Sequence, residues 1–281
     1  MCCFSPIQAP FRLLGFLLGP PQLEVSSTKI FARVDPAPEG GPALQWLAYS
    51  MAVATPSDVA MVLPIPAARA AEDALRFIDL SGYPTFFTDL ETLFPDDVIG
   101  LAKSRGGFMQ SRSRPRLVVH AVGDFEASYV PSLGDFDRLD PRFRIPQAVW
   151  DARPDYGAFG FAVFKLKKGK KKSIHPMAFS FETGEPRSIF FPTLHVHDGV
   201  LHEEAHFDHK LYYQAEGAAE PVLEGRPEAA RWVEPSSGTA TQAVDVARTR
   251  GLVDGAARVM RWGLHGMLPN RDARVKLPIP A

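Results

Sequence analysis

Apolar and polar positions alternate with a period of two through much of the chain, and the alternating runs are punctuated by proline, glycine and aspartate. That pattern predicts half-buried β-strands separated by turns. Residues 23–34 and 43–54 are rich in β-branched and aromatic side chains. They flank Asp35-Pro36-Ala37-Pro38-Glu39-Gly40-Gly41, which predicts two antiparallel strands joined by a turn. Residues 59–63 read as a third strand, stopped by Pro64 and Pro66. Over 67–80 the period changes: Ala71, Ala74, Leu75 and Ile78 fall at helical spacing and Gly82 follows, which predicts a helix. A short helix is expected over 86–94 after Pro84, and strands return over 117–130. Residues 135–150, rich in Asp, Arg and Pro, read as an irregular connection with one helical turn.

Residues 159–214 are the most regular stretch and read as two consecutive hairpins. In the first, 159–167 pairs with a return strand over 173–181 across the tip Lys168-Gly169-Lys170-Lys171-Lys172. In the second, Asp198-Gly199 lies between two alternating runs, a strong signal for a two-residue type I′ turn. With these two residues in the loop, His197 opposes Val200 and His195 opposes His202. Residues 215–240, rich in Pro, Gly, Glu and Ser, read as a surface connection. Residues 241–266 have helical composition, with Val246, Val253, Ala256, Ala257 and Met260 as a packing stripe. The expected class is therefore α+β. A single domain over 1–281 has an extended antiparallel sheet built from hairpins, a few short helices and a C-terminal helical segment.

The second hairpin carries the candidate chemistry. Five of the eight histidines, His195, His197, His202, His206 and His209, fall within residues 195–209. The register puts His195 and His197 on one face of the first strand, and His202 and Glu204 on the same face of the second. Opposed Cβ atoms lie roughly 4.5–5.5 Å apart, so three imidazoles converge on one ion with bonds of about 2.0–2.1 Å. His195, His197 and His202 are thus the predicted metal ligands, and Glu204 is a fourth ligand or a catalytic acceptor. By the same parity Glu203 and His209 point away, and His206 lies further along the strand. His175, on the neighbouring hairpin, is an additional candidate ligand. The spacing over 195–202 is similar to the first metal motif of the cupins, without its preceding glycine and with a histidine in place of its carboxylate. No membership of that family follows. An all-nitrogen set suits iron, copper or zinc. Cys2 becomes the terminal residue when Met1 is removed, and is then a candidate catalytic nucleophile beside its own amine or a thiolate ligand. Residues 151–156 place acid, base and phenol on one loop, and His120 reads as a core histidine.

Composition narrows the classes. With 31 Lys+Arg against 32 Asp+Glu the net charge is −1, so no nucleic-acid partner is expected. Six of the ten lysines nevertheless fall between Lys165 and Lys172, where an acidic partner is the expected contact. A charged content of 22% with 11% aromatic residues argues against disorder. Both cysteines, Cys2 and Cys3, are terminal, so no disulfide framework exists and a cytoplasmic setting is expected. The apolar run 11–18 is interrupted by Arg12 and Gly15 and is too short for a membrane span, and no signal peptide is expected. There is no phosphate-binding glycine loop, Gly-x-Ser-x-Gly elbow, His-Glu-x-x-His helix or paired-cysteine zinc motif. The expected function is a metal-dependent enzyme with a mononuclear three-histidine site, an oxidoreductase using dioxygen on a small-molecule or peptide substrate. A zinc-dependent hydrolase and a non-catalytic metal-binding or protein-interaction module are the alternatives.

Overall fold

Successive residues of a strand point to opposite faces, and here that alternation sorts the apolar side chains into three separate cores. A computed structural model describes residues 3–5, 23–36, 41–94, 117, 119–122, 125–173, 175–215, 217 and 219–278. In chain order the strands are β1 (Cys3–Phe4), β2 (Glu24–Asp35), β3 (Leu44–Thr55), β4 (Val59–Ile65), β5 (Leu75–Asp79), β6 (His120–Val122), β7 (Phe125–Val130) and β8 (Gly160–Leu166). There follow β9 (Gly169–Ser173), β10 (Met177–Glu182), β11 (Ser188–Phe191), β12 (Glu204–Gln214), β13 (Glu220–Val222), β14 (Val233–Thr239), β15 (Arg258–Pro269) and β16 (Ala273–Lys276). Two short α-helices, α1 (Phe86–Glu91) and α2 (Gln147–Asp151), accompany them. One sheet runs in the order β1-β4-β8-β7-β6. A second runs β14-β15-β12-β2-β3-β10-β5, with β9 also beside β3, and a third is β11-β16-β13. The β12–β2 ladder is parallel, whereas β12 meets β15 and β2 meets β3 in antiparallel register.

β4 shows how the layers arise. It is buried at every position. Val59, Met61, Leu63 and Ile65 enter the central core between the two large sheets, where Ile30, Tyr49, Phe164, Phe179 and Trp262 meet them. Ala60 and Val62 face the other way, into a second core closed by Phe136, Ile145, Trp150 and Tyr156 from the segment around α2. The outer face of the larger sheet is covered in turn: Phe31, Ala48 and Tyr212 pack against Phe86, Phe87 and Leu90 of α1 and against Leu252 and Val253.

The fold is mainly β, which corrects the α+β expectation. Residues expected as a helix over 67–80 contain β5, because Leu75–Asp79 pairs along β10 and this ladder overrides the local spacing. The expected C-terminal helical segment 241–266 is instead two short 3₁₀ turns, Ala240–Gln242 and Val246–Thr249, followed by most of β15. Arg250 and Gly251 both have positive φ, 54° and 91°, so no right-handed helix passes through them. Residues 215–240, read as a surface connection, contribute β13 and β14 to sheets. The first expected hairpin also divides: β8 pairs with β4 and β7, whereas β10 pairs with β3 and β5 in the other large sheet. The pairing of β2 with β3, strand β4 and a short helix beginning at Phe86 agree with the sequence reading. Among the described residues no helix is long and apolar enough to cross a membrane.

Gly160 marks a close approach between neighbouring strands of the five-stranded sheet. A Cβ there would lie 2.0 Å from the Tyr129 hydroxyl and 2.6 Å from its Cζ. Gly160→Val is therefore expected to lower unfolding stability by about 1–3 kcal/mol in urea denaturation. Adding Tyr129→Ala removes the clash, so the double variant loses less than the sum of the two singles.

Candidate functional site

After β11 the buried residues 192–196 lack a continuous ladder to occupy their amides, and side chains that follow β15 take its place. Asn270 holds both ends of the histidine-bearing loop. Its Oδ1 accepts from the His195 N–H at 2.7 Å, and its Nδ2 donates to the carbonyls of His195 at 2.9 Å and His202 at 3.0 Å. Its own backbone N–H donates to the Glu203 carbonyl at 2.8 Å. Asp272 Oδ1 accepts from the N–H groups of Thr193 and Leu194 at 2.9 and 3.0 Å, while Oδ2 accepts from the Tyr156 hydroxyl. Thr193 Oγ1 donates to the Arg271 carbonyl and accepts from the Ala273 N–H, each at 2.9 Å. On the other side of the loop the Phe4 N–H donates to the Val196 carbonyl at 2.8 Å.

Burial pushes the Asp272 carboxyl above its ordinary range, against the lowering effects of the Tyr156 hydrogen bond and the Arg153 charge. The Arg153 guanidinium lies 4.3 Å over the Tyr156 ring, 3.9 Å from the Asp272 carboxylate, and pairs with Asp155. The acid, base and phenol of the 151–156 loop therefore brace the scaffold.

Fixed in this way, His195 turns inward to the margin of the central core. Its ring stacks on Phe207 at 4.3 Å between centroids and on His209 at 5.1 Å. The two Nε2 atoms of His195 and His209 face each other at 3.5 Å. His209 comes inward because β12 alternates: Phe207, His209 and Leu211 are fully buried, whereas His206 is exposed on the opposite face. His197 lies 5.8 Å from His195 between ring centroids and edge-on to Phe4 at 5.7 Å. Its Nε2 is buried and has no hydrogen-bond partner among the described residues. Burial drives the His195 pKa well below the ordinary histidine value and brings that of His197 down to about 4, so both rings are neutral at pH 7.

The structure thus brings His195 and His197 together with His209, and it does not bring His202 to them. No ladder joins the two sides of Asp198-Gly199, so the expected opposition of His195 and His202 does not form. Asp198 Oδ1 accepts from the Val200 N–H at 3.0 Å and its Oδ2 meets His202 Nε2 at 2.9 Å, which closes a local loop in place of a hairpin turn. The His202 side chain is 61% exposed. Glu204 opens β12 opposite Pro269 as an exposed residue. Cys2 lies outside the described residues. Cys3 is buried in the second core with Ala60 and Val62, its Sγ 3.9 Å from the Leu194 carbonyl. His175 packs on Phe125 at 4.3 Å, and His120 is exposed at the edge of its sheet beside Phe77. Among the described residues, no group of three or more His, Cys, Asp or Glu side chains is arranged to hold a metal ion. Asn270 and Asp272 carry no signature in the sequence as anchors of the loop. The inward face of His209 is set by the ladders of β12 with β15 and β2, which join strands far apart in the sequence.

No family model and no curated protein matches this chain. Among solved structures it is similar to baculovirus P35 at 10% identity and a TM-score of 0.45, over 92% of this chain and 98% of that one. It is also similar to a mutated baculovirus P35 after caspase cleavage, at 11% identity and a TM-score of 0.44, over 90% and 100% of the two chains. A caspase-8/P35 complex matches at 10% identity and a TM-score of 0.41, over 90% and 96%. Likeness at this level assigns neither fold nor activity to this chain.

The buried neutral imidazoles make stability depend on pH. An unfolded histidine binds a proton below a pKa of about 6.5, whereas folded His197 resists protonation down to about 4. The unfolded state therefore binds more protons in that window, and stability is full above it and falls as pH drops from 6.5 to 4. His197 alone contributes a loss on the order of 3 kcal/mol. Urea denaturation of the wild type and His197→Gln from pH 7 to pH 4 should show a shallower decline in the variant. Parallel declines would contradict the assignment of a buried neutral ring.

Proposed function

We propose that the chain is a metal-binding protein whose seat is the facing pair His195 and His209, with His197 beside it. The observation that carries this reading is the 3.5 Å between their Nε2 atoms. Two nitrogens bound to one tetrahedral ion at 2.0–2.1 Å stand about 3.3–3.4 Å apart, so the pair lies within a few tenths of an ångström of bonding geometry. A neutral ring offers the lone pair that a metal requires, and burial keeps His195 neutral. His197, whose buried Nε2 has no hydrogen-bond partner among the described residues, lies beside the pair, its ring 5.8 Å from that of His195 between centroids. The ion, as iron, copper or zinc, would supply Lewis acidity or redox chemistry when bound. His195 is 5% exposed and His209 is 0% exposed, which favours holding a metal over turning over a substrate. Dioxygen-dependent oxidation or zinc-dependent hydrolysis at the same seat requires in addition an open coordination position.

A second reading, a protein-binding module, draws on Lys167 and Lys168, exposed where the chain crosses from one large sheet to the other. Metal analysis tests the first reading. Protein purified without chelator and loaded with zinc or copper should retain about one equivalent after gel filtration. His195→Ala and His209→Ala should each abolish retention, while His202→Ala and Glu204→Ala should keep it. A Cys2→Ser variant reports whether that thiol adds a ligand. Equal loss in His202→Ala, or no retention by the wild type, would overturn the assignment. The second reading predicts co-elution with an acidic polypeptide such as poly-glutamate, lost on charge reversal of Lys167 and Lys168.

A further inference from the structure

The outer face of the larger sheet carries a cleft that neither the histidine seat nor the cores use. It encloses about 510 Å³ above β12, β14 and β15. That volume lies within the roughly 300–1,000 Å³ of small-molecule sites. Its floor is opened by Gly263, which sits opposite Lys210 in the β12–β15 ladder and has no side chain to fill the space. A Cβ at Gly263 would come within 3.0 Å of His265 Nε2 and 3.3 Å of its Cδ2, so the imidazole leans over the glycine because that position is bare. The Gly263 N–H donates to the Trp232 carbonyl at 3.0 Å, which ties the indole-bearing residue to the cleft wall. Among the described residues, Trp232 is one of the few large apolar ones left substantially exposed, at 39%.

Cations surround this floor and two of them are held in fixed positions. Arg261 lies 4.6 Å over the Phe94 ring and pairs through its Nε with Glu234 at 2.5 Å. Lys210 reaches Glu91 at 3.2 Å, but Glu91 also takes Lys29 at 2.6 Å, so one carboxylate is shared between two ammonium groups. Arg231 is exposed and makes no ion pair among the described residues. The charged groups lining the cleft are Lys210, Arg231 and Arg261 against Glu234, an excess of two positive charges on a chain whose net charge is −1. Asp208 stands next along the ladder, opposite His265, and bounds the positive region.

We propose that this cleft binds a small planar anion, an aromatic ring bearing a phosphate or carboxylate, with Trp232 stacked on the ring and Arg231 and Lys210 facing the anionic group. The indole supplies a flat apolar surface beside cations, a combination that recognises nucleotide-like ligands through stacking and charge-assisted hydrogen bonds together. Neither element suffices alone. A bare anion forgoes the stacking surface, and a neutral ring forgoes the charge.

Isothermal titration of the full chain with adenosine monophosphate, adenosine and inorganic phosphate tests this directly. The monophosphate should bind saturably at one site, and adenosine and phosphate should each bind at least about tenfold more weakly. Trp232→Ala and Arg231→Glu, both at exposed positions, should each weaken the monophosphate at least about tenfold with unchanged thermal midpoints. Gly263→Val, a residue suited to strands, should fill the floor and reduce binding comparably while the fold persists. Phosphate binding as tightly as the monophosphate would overturn the stacking role, and adenosine doing so would overturn the anionic one. Absence of saturable binding by the wild type, or binding unaffected by both Trp232→Ala and Arg231→Glu, would overturn the site itself.

Discussion

A buried stretch of chain outside a continuous ladder must find partners for its amides elsewhere, and here two side chains just beyond β15 meet that requirement. Asn270 matches the backbone of His195 as a neighbouring strand would, one acceptor and one donor, and adds a third bond to His202. Asp272 gathers two further N–H groups and the Tyr156 hydroxyl. A carboxylate is costly to bury unless its oxygens are occupied, and these donors, with Arg153 nearby, offset part of that cost. The polar anchor thus stands in place of a strand pairing, and the His195 side chain turns inward from it.

The consequence reaches across the sheets. β15 belongs to the larger sheet and β16 to the small one, so a short connection bearing Asn270 and Asp272 couples the two. On the opposite side, β1 belongs to the five-stranded sheet and meets the same loop at Val196. Three sheets therefore converge on residues 193–196, and the neutral histidines lie where they meet. Phe207 gives His195 a flat apolar neighbour, and β12 supplies His209 from its inward face. The rings are held by packing and by backbone geometry together, which favours a defined separation between their nitrogens.

Strands were legible where both the alternation and the turn chemistry agreed. β2 and β3 flank a proline- and glycine-rich turn, and β4 runs through Pro64, paired with Phe161, to end at Ile65 before Pro66, so local and tertiary preferences coincide there except at Pro64. β15 was not legible, because its outward positions are Arg261, Gly263, His265 and Met267, which look like neither a strand nor a loop until β12 and β14 flank them. The gathering of histidines over 195–209 was visible in the sequence, but their facing pairs were not. Asp198-Gly199 is a local loop rather than a hairpin turn, and the inward parity of β12 follows from its ladders with β15 and β2. A one-residue change of parity exchanges His206 for His209, and only nonlocal pairing decides between them.

The facing of His195 and His209 can be measured without any metal or ligand. Nuclear Overhauser contacts between histidine ring protons, assigned by single substitution, report which imidazoles lie within about 5 Å of each other in solution. A His195–His209 ring contact is expected, and none between His195 and His202. A His195–His202 contact, with none to His209, would contradict the facing pair.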